Sequence, residues 1–454
     1  MRFWLGGYSA DMDGTGSGIG VLHAGGAAEQ SASGALAFAG TAVTTSSPSW
    51  LAAHPTLPVV YATLEGDGTV QAFRRTGLET LVVHGPAVVT GEFTCHAAVS
   101  PDGTLLVATA YGDGSVAFIP LTADGALGEA IFGALPTDPH AGVVGGGRID
   151  DPNLGALTAS GFALAGTDAP APRPETTDVA RAADALRAAV GSEFAHLVPS
   201  YTGDDGDEFA RFLAEQDLLL LGPDATERRL AGDVAAAIIA DAAPVAKAPE
   251  APEGRVPHAH QARFLSRGVI ATTDLGFDLV RLWARSARGF VEIQSVALPQ
   301  GSGPRHMVWH PSGHLHVVTE YSCEVFTLAP DDAGRWRILA ATPVSREAVV
   351  GADFPSELSS SASGEHLYAG VRGSNTIATL AVKENGTRLV PVAAVDTHVD
   401  WPRHHVLVRD VLLIAGQRSD TVAALTIDER SQLPTVRRSI TDAPTPTALL
   451  PVFD

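Results

Sequence analysis

The sequence predicts an all-β fold, a seven-bladed β-propeller that carries a helical insertion of about 115 residues. A block of strand and turn residues recurs along the chain, and one long segment interrupts the recurrence. Without that segment the chain of 454 residues retains about 340 residues, which divide into seven repeats of about 48. A hydrophobic content of 45% is sufficient for a large buried core.

Five blocks show the repeat most clearly. Each block has an apolar strand, a turn rich in Pro, Ser or Gly, a second strand that ends in small residues, and a third strand after Gly, Asp or Asn. The blocks begin at Ser47, Thr94, Gly301, Pro355 and Trp401. Repeats of roughly 45–50 residues are typical of four-stranded propeller blades, whose radial closure leaves few free sheet edges.

The strand pattern stops between residues 136 and 254. Three Ala-rich stretches, at 177–190, 206–216 and 225–243, have apolar residues at i, i+3 and i+4, which predicts helices. A Pro/Ala-rich linker follows them. The sequence therefore divides into a first propeller part at 1–135, the helical insertion and linker at 136–254, and a second propeller part at 255–454.

The composition restricts the class of ligand. A formal net charge of −21 argues against nucleic acid and against anionic membranes, because both require a basic surface. A small anionic ligand remains compatible, since a local cluster of arginines can oppose the overall field. The two cysteines, Cys95 and Cys323, do not form a disulfide framework. The sequence contains no long apolar run, so we expect a cytoplasmic protein. We also expect a monomer or homodimer, and no cofactor.

The repeat block that begins at Gly301 also contains candidate catalytic and binding residues. Arg305 follows Pro304 at the entry of a strand, where a guanidinium suits bidentate binding of a carboxylate or phosphate. Glu320 closes the next strand, and a carboxylate beside arginines suits general-base catalysis. Arg372 ends the equivalent strand of a later block. The alternative for Arg305 and Glu320 is a structural ion pair, and the alternative for Arg372 is a solvated loop arginine.

Histidines form the second group of candidates. His258 and His260 are two residues apart, which predicts that they share one side of a strand. The pair suggests a metal site, but no third ligand follows at a suitable spacing, so we expect no metal and assign His258 to proton transfer and His260 to substrate binding. His306 is either a packing residue or a substrate contact. The sequence Arg403-His404-His405 enters its block at the position of Arg305, which predicts substrate contacts for Arg403 and His404.

The motif Gly-Ser-Gly-Pro-Arg305-His306-Met-Val-Trp-His310-Pro resembles the lactonase family, typified by the propeller-type bacterial 6-phosphogluconolactonase and including the fungal carboxy-muconate cyclase. Supporting segments are Cys95-His96-Ala-Ala-Val-Ser-Pro-Asp-Gly, Thr-Asp-Leu-Gly-Phe-Asp278 and Gly-Glu-His-Leu-Tyr-Ala-Gly-Val-Arg372. The resemblance covers the chain except for the insertion. It implies functional roles for the residues that match the cyclase pattern, which are His258, Arg305, Glu320 and Arg372.

Three functions follow as hypotheses. The first is hydrolysis of a small anionic sugar lactone, with arginines holding the anion and polarising the carbonyl while Glu320 or His258 activates water. The second is a muconate-type lactonizing isomerase, in which Glu320 moves a proton on carbon and the arginines bind two carboxylates. The third is a binding propeller without turnover, whose insertion mediates contacts.

Overall fold

The computed structural model describes residues 1–25, 32, 34–141, 254–287 and 289–452. This part of the chain forms seven antiparallel sheets, each with four strands along its path. The predicted seven-bladed β-propeller is confirmed. The proposed helices of the insertion lie outside the described residues, so they stay predictions.

The first three blades take in the chain up to residue 132. Blade 1 contains β1 (Arg2–Gly7), β2 (Gly18–Ala24), β3 (Leu36–Thr44) and the C-terminal strand β29 (Pro446–Val452). Blade 2 contains β4 (Pro48–Ala53), β5 (Val59–Leu64), β6 (Thr69–Arg75) and β7 (Leu81–Val83), with β8 (Val88–Val89) beside β6. Blade 3 contains β9 (Thr94–Val99), β10 (Leu105–Ala110), β11 (Val116–Pro120) and β12 (Ile131–Phe132).

The other four blades follow the interruption. Blade 4 contains β13 (Ala259–Phe264), β14 (Ile270–Asp274), β15 (Leu279–Ser286) and β16 (Gly289–Ala297). Blade 5 contains β17 (Pro304–Trp309), β18 (Leu315–Thr319), β19 (Glu324–Pro330) and β20 (Trp336–Pro343). Blade 6 contains β21 (Phe354–Ser360), β22 (His366–Arg372), β23 (Thr376–Lys383) and β24 (Arg388–Asp396). Blade 7 contains β25 (Pro402–Val408), β26 (Val411–Gly416), β27 (Thr421–Ile427) and β28 (Pro434–Asp442).

Helical structure is minor in the described ranges. It consists of three 3₁₀ turns, at Ala10–Met12, Ser266–Gly268 and Glu384–Gly386. Within these ranges, none of the helices has the length and apolar character needed to span a membrane.

The ring is closed by the two ends of the chain. Strand β29 is the innermost strand of blade 1 and pairs antiparallel with β1, with Trp4 opposite Leu450. This pairing joins the last blade to the first through an antiparallel ladder of hydrogen bonds, so the sheet of blade 1 needs both ends of the sequence.

Ion pairs and hydrogen bonds fix the chain to the propeller on both sides of the interruption, near residues 138–140 and at Arg255. Arg255 lies 2.9 Å from Asp138 (Nη1 to Oδ1) and also donates to the Asp278 carboxylate. His140 is buried, and its Nε2 lies 3.1 Å from the carbonyl oxygen of Leu298. The chain thus leaves the propeller after the outer strand of blade 3 and returns at the inner strand of blade 4.

Apolar side chains fill the spaces between neighbouring blades. Met307 and Phe326 of blade 5, for example, pack in one cluster with Val280 and Leu282 of blade 4. Turns add polar links between blades, since His310 Nε2 lies 2.8 Å from the Gly364 carbonyl oxygen. These contacts hold the inner strands in a ring around the central channel.

A β-bulge occurs near the start of every inner strand. In blade 5, Pro304 pairs with Thr319 and His306 with Val318, so Arg305 is an extra residue. The same one-residue shift is found in all seven blades. A bulge redirects side chains and commonly marks the rim of a closed sheet.

The bulges define two layers of side chains around the channel. The bulge layer consists of Ser49, Cys95, His260, Arg305, Ser356, Arg403 and Thr447. The second layer, one residue further along each strand, consists of Trp50, His96, Gln261, His306, Glu357, His404 and Ala448. The bulges lie near one opening of the channel, which we call the mouth. The second strands of the blades end at the same opening, which puts Glu65, Glu320 and Arg372 there.

Candidate functional site

Two arginines from neighbouring blades share one carboxylate at the mouth of the channel. Glu320 Oε2 lies 3.2 Å from Arg305 Nε, and Glu320 Oε1 lies 3.0 Å from Arg372 Nη2. Arg305 and Arg372 are buried, whereas Glu320 is partly exposed. The group that reaches solvent is therefore the carboxylate, and the two guanidinium groups lie behind it.

Arg372 is held in its orientation by several contacts. Its Nε donates to the carbonyl oxygen of Phe354 at 2.9 Å, and its guanidinium carbon lies 5.3 Å from the centre of a Trp401 ring. Arg418 lies 3.4 Å from the centre of a Trp401 ring. Trp401 is thus a cation–π partner of two arginines at the mouth.

A third arginine belongs to a neighbouring chain of hydrogen bonds. Arg403 Nη2 donates to the Tyr8 hydroxyl at 3.0 Å, and Tyr8 lies 3.1 Å from Glu65 Oε2. Burial lowers the pKa of Arg403, but Tyr8, Glu65 and Glu320 outweigh that effect and raise the pKa above its usual value. Arg403 therefore stays charged.

The pKa of Arg305 is shifted in the opposite direction, below its usual value. Burial, followed by repulsion from Arg372 and Arg403, lowers its pKa to about 9, against the attraction of Glu320 and Glu357. Its Nη1 is buried and has no hydrogen-bond partner among the described residues. Its Nε, although in ion-pair range of Glu320, also makes no hydrogen bond to any of them. Because positive charge is crowded and two donors are unsatisfied, a bound anion would stabilise this arrangement.

Within the second layer, neutral imidazoles surround one carboxylate. Glu357 Oε2 lies 3.0 Å from His306 Nδ1 and 3.5 Å from His404 Nε2. His404 Nδ1 accepts a hydrogen bond from the Leu449 amide at 3.2 Å, so the Nε2 of the neutral ring carries the proton. Burial lowers the pKa of His404 to about 4 and that of His306 well below its usual value.

His258 packs against the aromatic ring of Tyr111. It stacks on Tyr111 with ring centres 4.3 Å apart, and its Nδ1 contacts the Tyr111 carbonyl oxygen. A carbonyl accepts, so Nδ1 carries the proton and Nε2 of the neutral ring has a free lone pair. Among the described contacts, His258 has no hydrogen bond or ion pair to Arg305, Glu320 or Arg372.

The comparison with known families agrees with this architecture. The family described as "Lactonase, 7-bladed beta-propeller" matches residues 2–142 and 235–451, more than half of the chain. The chain belongs to this lactonase family. The match omits residues 143–234, which fall within the predicted insertion.

Two curated relatives are similar to this chain over part of its length. An uncharacterized protein of Lactococcus lactis, YwcC, is 27% identical over 206 residues, 44% of this chain and 60% of that protein. The 6-phosphogluconolactonase of Bacillus subtilis is 28% identical over 171 residues, 37% of this chain and 49% of that protein. The chain thus spans only about half the length of the curated relatives it matches.

Solved structures resemble this protein over nearly the whole chain. A protein from Lactobacillus plantarum has a TM-score of 0.65 at 18% identity, with 99% of this chain and 98% of that chain covered. The periplasmic gluconolactonase PpgL of Pseudomonas aeruginosa has a TM-score of 0.63 at 18% identity, with the same coverage. At this level of identity the likeness shows the fold alone.

The structure brings together some of the predicted site residues and separates others. Arg305, Glu320 and Arg372 meet at the mouth, and Arg403 lies in the adjoining chain of hydrogen bonds. The other predicted substrate contacts occupy the bulge layer (His260) and the second layer (His306 and His404).

The expected relation between His258 and His260 stays a prediction, because strand alternation does not decide it here. His258 precedes the first residue of β13, and a bulge follows, so strand alternation does not put the two side chains together. Each contacts Tyr111 differently, His258 stacking on the ring and His260 meeting it edge-on at 6.3 Å between centres. The residues described by the structure contain no group of three or more His, Cys, Asp or Glu arranged to hold a metal ion.

Sequence reasoning missed three residues of the site, Tyr8, Glu65 and Glu357. The repeat could have located two of them. Glu65 stands five residues before Val70, as Glu320 stands five before Val325, and Glu357 occupies the position of His306 in its blade. Tyr8 had no such signal, because a longer loop follows β1.

Proposed function

We propose that this lactonase hydrolyses the lactone of an anionic sugar acid, with a phosphorylated gluconolactone as the type substrate. The observation that supports the proposal is the cluster of three arginines at the mouth, where Glu320 pairs with Arg305 and Arg372, and Tyr8 links Arg403 to Glu65. A curated relative bears the name 6-phosphogluconolactonase. Sugar phosphates and sugar acids carry the charge that such a cluster binds.

The arginines have separate tasks in this proposal. Arg305 directs its unpartnered Nη1 towards the lactone carbonyl oxygen, where negative charge develops as water adds. Arg403 and Arg372 bind the anionic end of the substrate. Glu320 keeps Arg305 and Arg372 correctly spaced through its two ion pairs. Because the donors are in place before the reaction, little reorganisation is needed.

We assign the base to His258. Its Nε2 lone pair is free, whereas each oxygen of Glu320 already faces a guanidinium. Water attacks the lactone carbonyl carbon and its proton passes to His258. As the ring C–O bond breaks, His258 returns that proton to the leaving ring oxygen, which gives the hydroxy acid. The expectations of a cytoplasmic location and of a monomer or homodimer stay predictions.

The test is the rate of lactone opening. Purified protein is mixed with 6-phosphogluconolactone and with gluconolactone, and acid release is followed at constant pH. We expect catalysis of the phosphorylated lactone to exceed that of the neutral one, with loss in His258→Gln. Opening at the spontaneous rate for both lactones would exclude hydrolysis. If, instead, the absorbance of a carboxymuconate falls on mixing, the lactonizing isomerase is the correct function.

A further inference from the structure

A separate cavity of about 380 Å³ lies in the channel beyond the second layer. Its walls include residues that follow the second layer along the inner strands, so it is further from the mouth than the arginines discussed above. Neither Arg305 nor Glu320 nor Arg372 lines it. The polar and aromatic residues of its walls are Trp50, His96, Gln261, Arg263, Glu357 and His404.

Two neighbouring side chains supply hydrogen-bond donors to the cavity. His96 Nδ1 accepts from the Ala262 amide at 3.4 Å, and burial holds the pKa of the ring well below its usual value, so the neutral ring carries its proton on Nε2. Gln261 Oε1 accepts from the Met307 amide, which identifies Nε2 as the side-chain donor. Neither donor has a partner among the described residues.

Arg263 adds a charge beside these donors. Among the described residues, its guanidinium has no hydrogen bond and no ion pair. The side chain is accessible to solvent within the channel, yet the surrounding protein lowers its pKa, and Glu357 opposes that effect. An accessible guanidinium with no counter-ion in contact is suited to a carboxylate.

The opposite part of the wall carries an acceptor. Glu357 Oε2 faces His306 and His404, whereas its Oε1 has no partner among the described residues. A carboxylate oxygen accepts hydrogen bonds only, so a ligand group near Glu357 must be a donor, such as a hydroxyl. Trp50 contributes an aromatic surface between the two sides.

We propose that this cavity is a second small-molecule site, which binds a polyhydroxy carboxylate. The carboxylate of the ligand pairs with Arg263 and accepts hydrogen bonds from His96 and Gln261, while a ligand hydroxyl donates to Glu357. The volume is within the range of small-ligand pockets. The inference does not depend on the reaction proposed above, because none of the catalytic residues named there lines the cavity.

Titration calorimetry with gluconate tests the site in the full-length protein. Arg263→Gln removes the charge, and Ala52→Leu fills the cavity from another wall residue. We expect each variant to weaken one gluconate-binding event by about tenfold or more, the loss typical of a charge-assisted contact. Arg335→Gln, at an exposed arginine outside both sites, is the matched control and should leave that event unchanged. Thermal unfolding of each variant establishes that it is folded.

The results separate the alternatives. Unchanged gluconate binding in both folded cavity variants would overturn the site. Glucose lacks the carboxylate and should not bind there, and acetate lacks the hydroxyls and should bind weakly. Acetate binding as tight as that of gluconate would overturn the role of Glu357. If lactone hydrolysis fails but Arg263→Gln still removes a gluconate-binding event, the second site stands and only the proposed reaction falls.

Discussion

Arg305 of blade 5 and Arg372 of blade 6 bind the same carboxylate, with Glu320 Oε2 at 3.2 Å from one and Oε1 at 3.0 Å from the other. Both arginines are buried, at 2% and 4% exposure. Glu320 is therefore the shared counter-ion of two guanidinium groups that would otherwise repel each other across a blade boundary.

Removal of the Glu320 charge should destabilise the protein. Glu320→Gln leaves two buried guanidinium groups uncompensated, which typically costs about 3–5 kcal/mol in the free energy of unfolding. Urea unfolding measures the loss, and added phosphate should restore more stability to the variant than to the wild type. Glu384→Gln is the matched control, since the Glu384–Arg388 pair is exposed on both sides and contributes under about 1 kcal/mol. Equal effects of the two substitutions would contradict the shared-counter-ion role.

Arg305→Lys tests the bidentate role of Arg305. Lysine keeps the charge but loses the planar fork, so we expect kcat/KM for the phosphorylated lactone to fall by roughly tenfold to a hundredfold. Arg335→Lys changes an arginine that is 81% exposed and serves as the control. Preserved kcat/KM with a lowered melting temperature would identify Arg305 as a structural link between blades.

Anion binding at the mouth should weaken at alkaline pH. The pKa of Arg305 is lowered to about 9, first by burial and then by Arg372 and Arg403. Above that pH the group loses its proton, so the Kd of 6-phosphogluconate should rise by up to about tenfold per pH unit. Calorimetry between pH 7 and pH 10.5 measures it, and Arg305→Gln should remove the dependence. A constant Kd for the wild type up to pH 10.5 would contradict the assignment.

Stability should fall in weak acid because buried histidines must gain protons. Burial lowers the pKa of His404 and of His405 to about 4, and that of His316 to about 3. Below the unfolded value of about 6.5, the unfolded chain binds more protons than the folded one, so stability is complete above that pH and is lost as pH falls towards 4.

Urea unfolding at a series of pH values measures this loss. His316→Asn should reduce the slope of stability against pH between pH 6.5 and pH 4, whereas His23→Gln, at a partly exposed site, should leave it as in the wild type. A wild-type stability that does not change over this interval would show that the histidines are not buried in neutral form.

Two glycines before Arg305 make a matched pair of substitutions. Both have positive φ, 79° at Gly301 and 65° at Gly303, but an added Cβ meets nothing within 4 Å at Gly301 and lies 2.6 Å from Tyr321 at Gly303. Gly301→Ala thus introduces backbone strain alone, about 1 kcal/mol. Gly303→Ala adds a clash next to Glu320 and should lower both the melting temperature and kcat. Equal melting temperatures and equal kcat values for the two variants would contradict this role of Gly303.

The sequence predicted the fold because a blade is a local unit. Its strands and turns follow one another within about 48 residues, so alternation and turn residues locate them without any long-range information. The same repeat located Arg305, Glu320 and Arg372 near strand ends. It could also have located Glu65 and Glu357, which occupy positions equivalent to Glu320 and His306 in their blades.

The tertiary structure decided which side chains meet. Strand alternation alone puts His258 and His260 on one side, but a β-bulge shifts the register at that point, so alternation does not decide their neighbours. Arg403 reaches Tyr8, 395 residues earlier in the chain, because β29 closes the ring beside β1. A repeat determines the place of a residue within its blade, whereas ring closure and the bulges determine its neighbours across the channel, and electrostatic pairing depends on those neighbours.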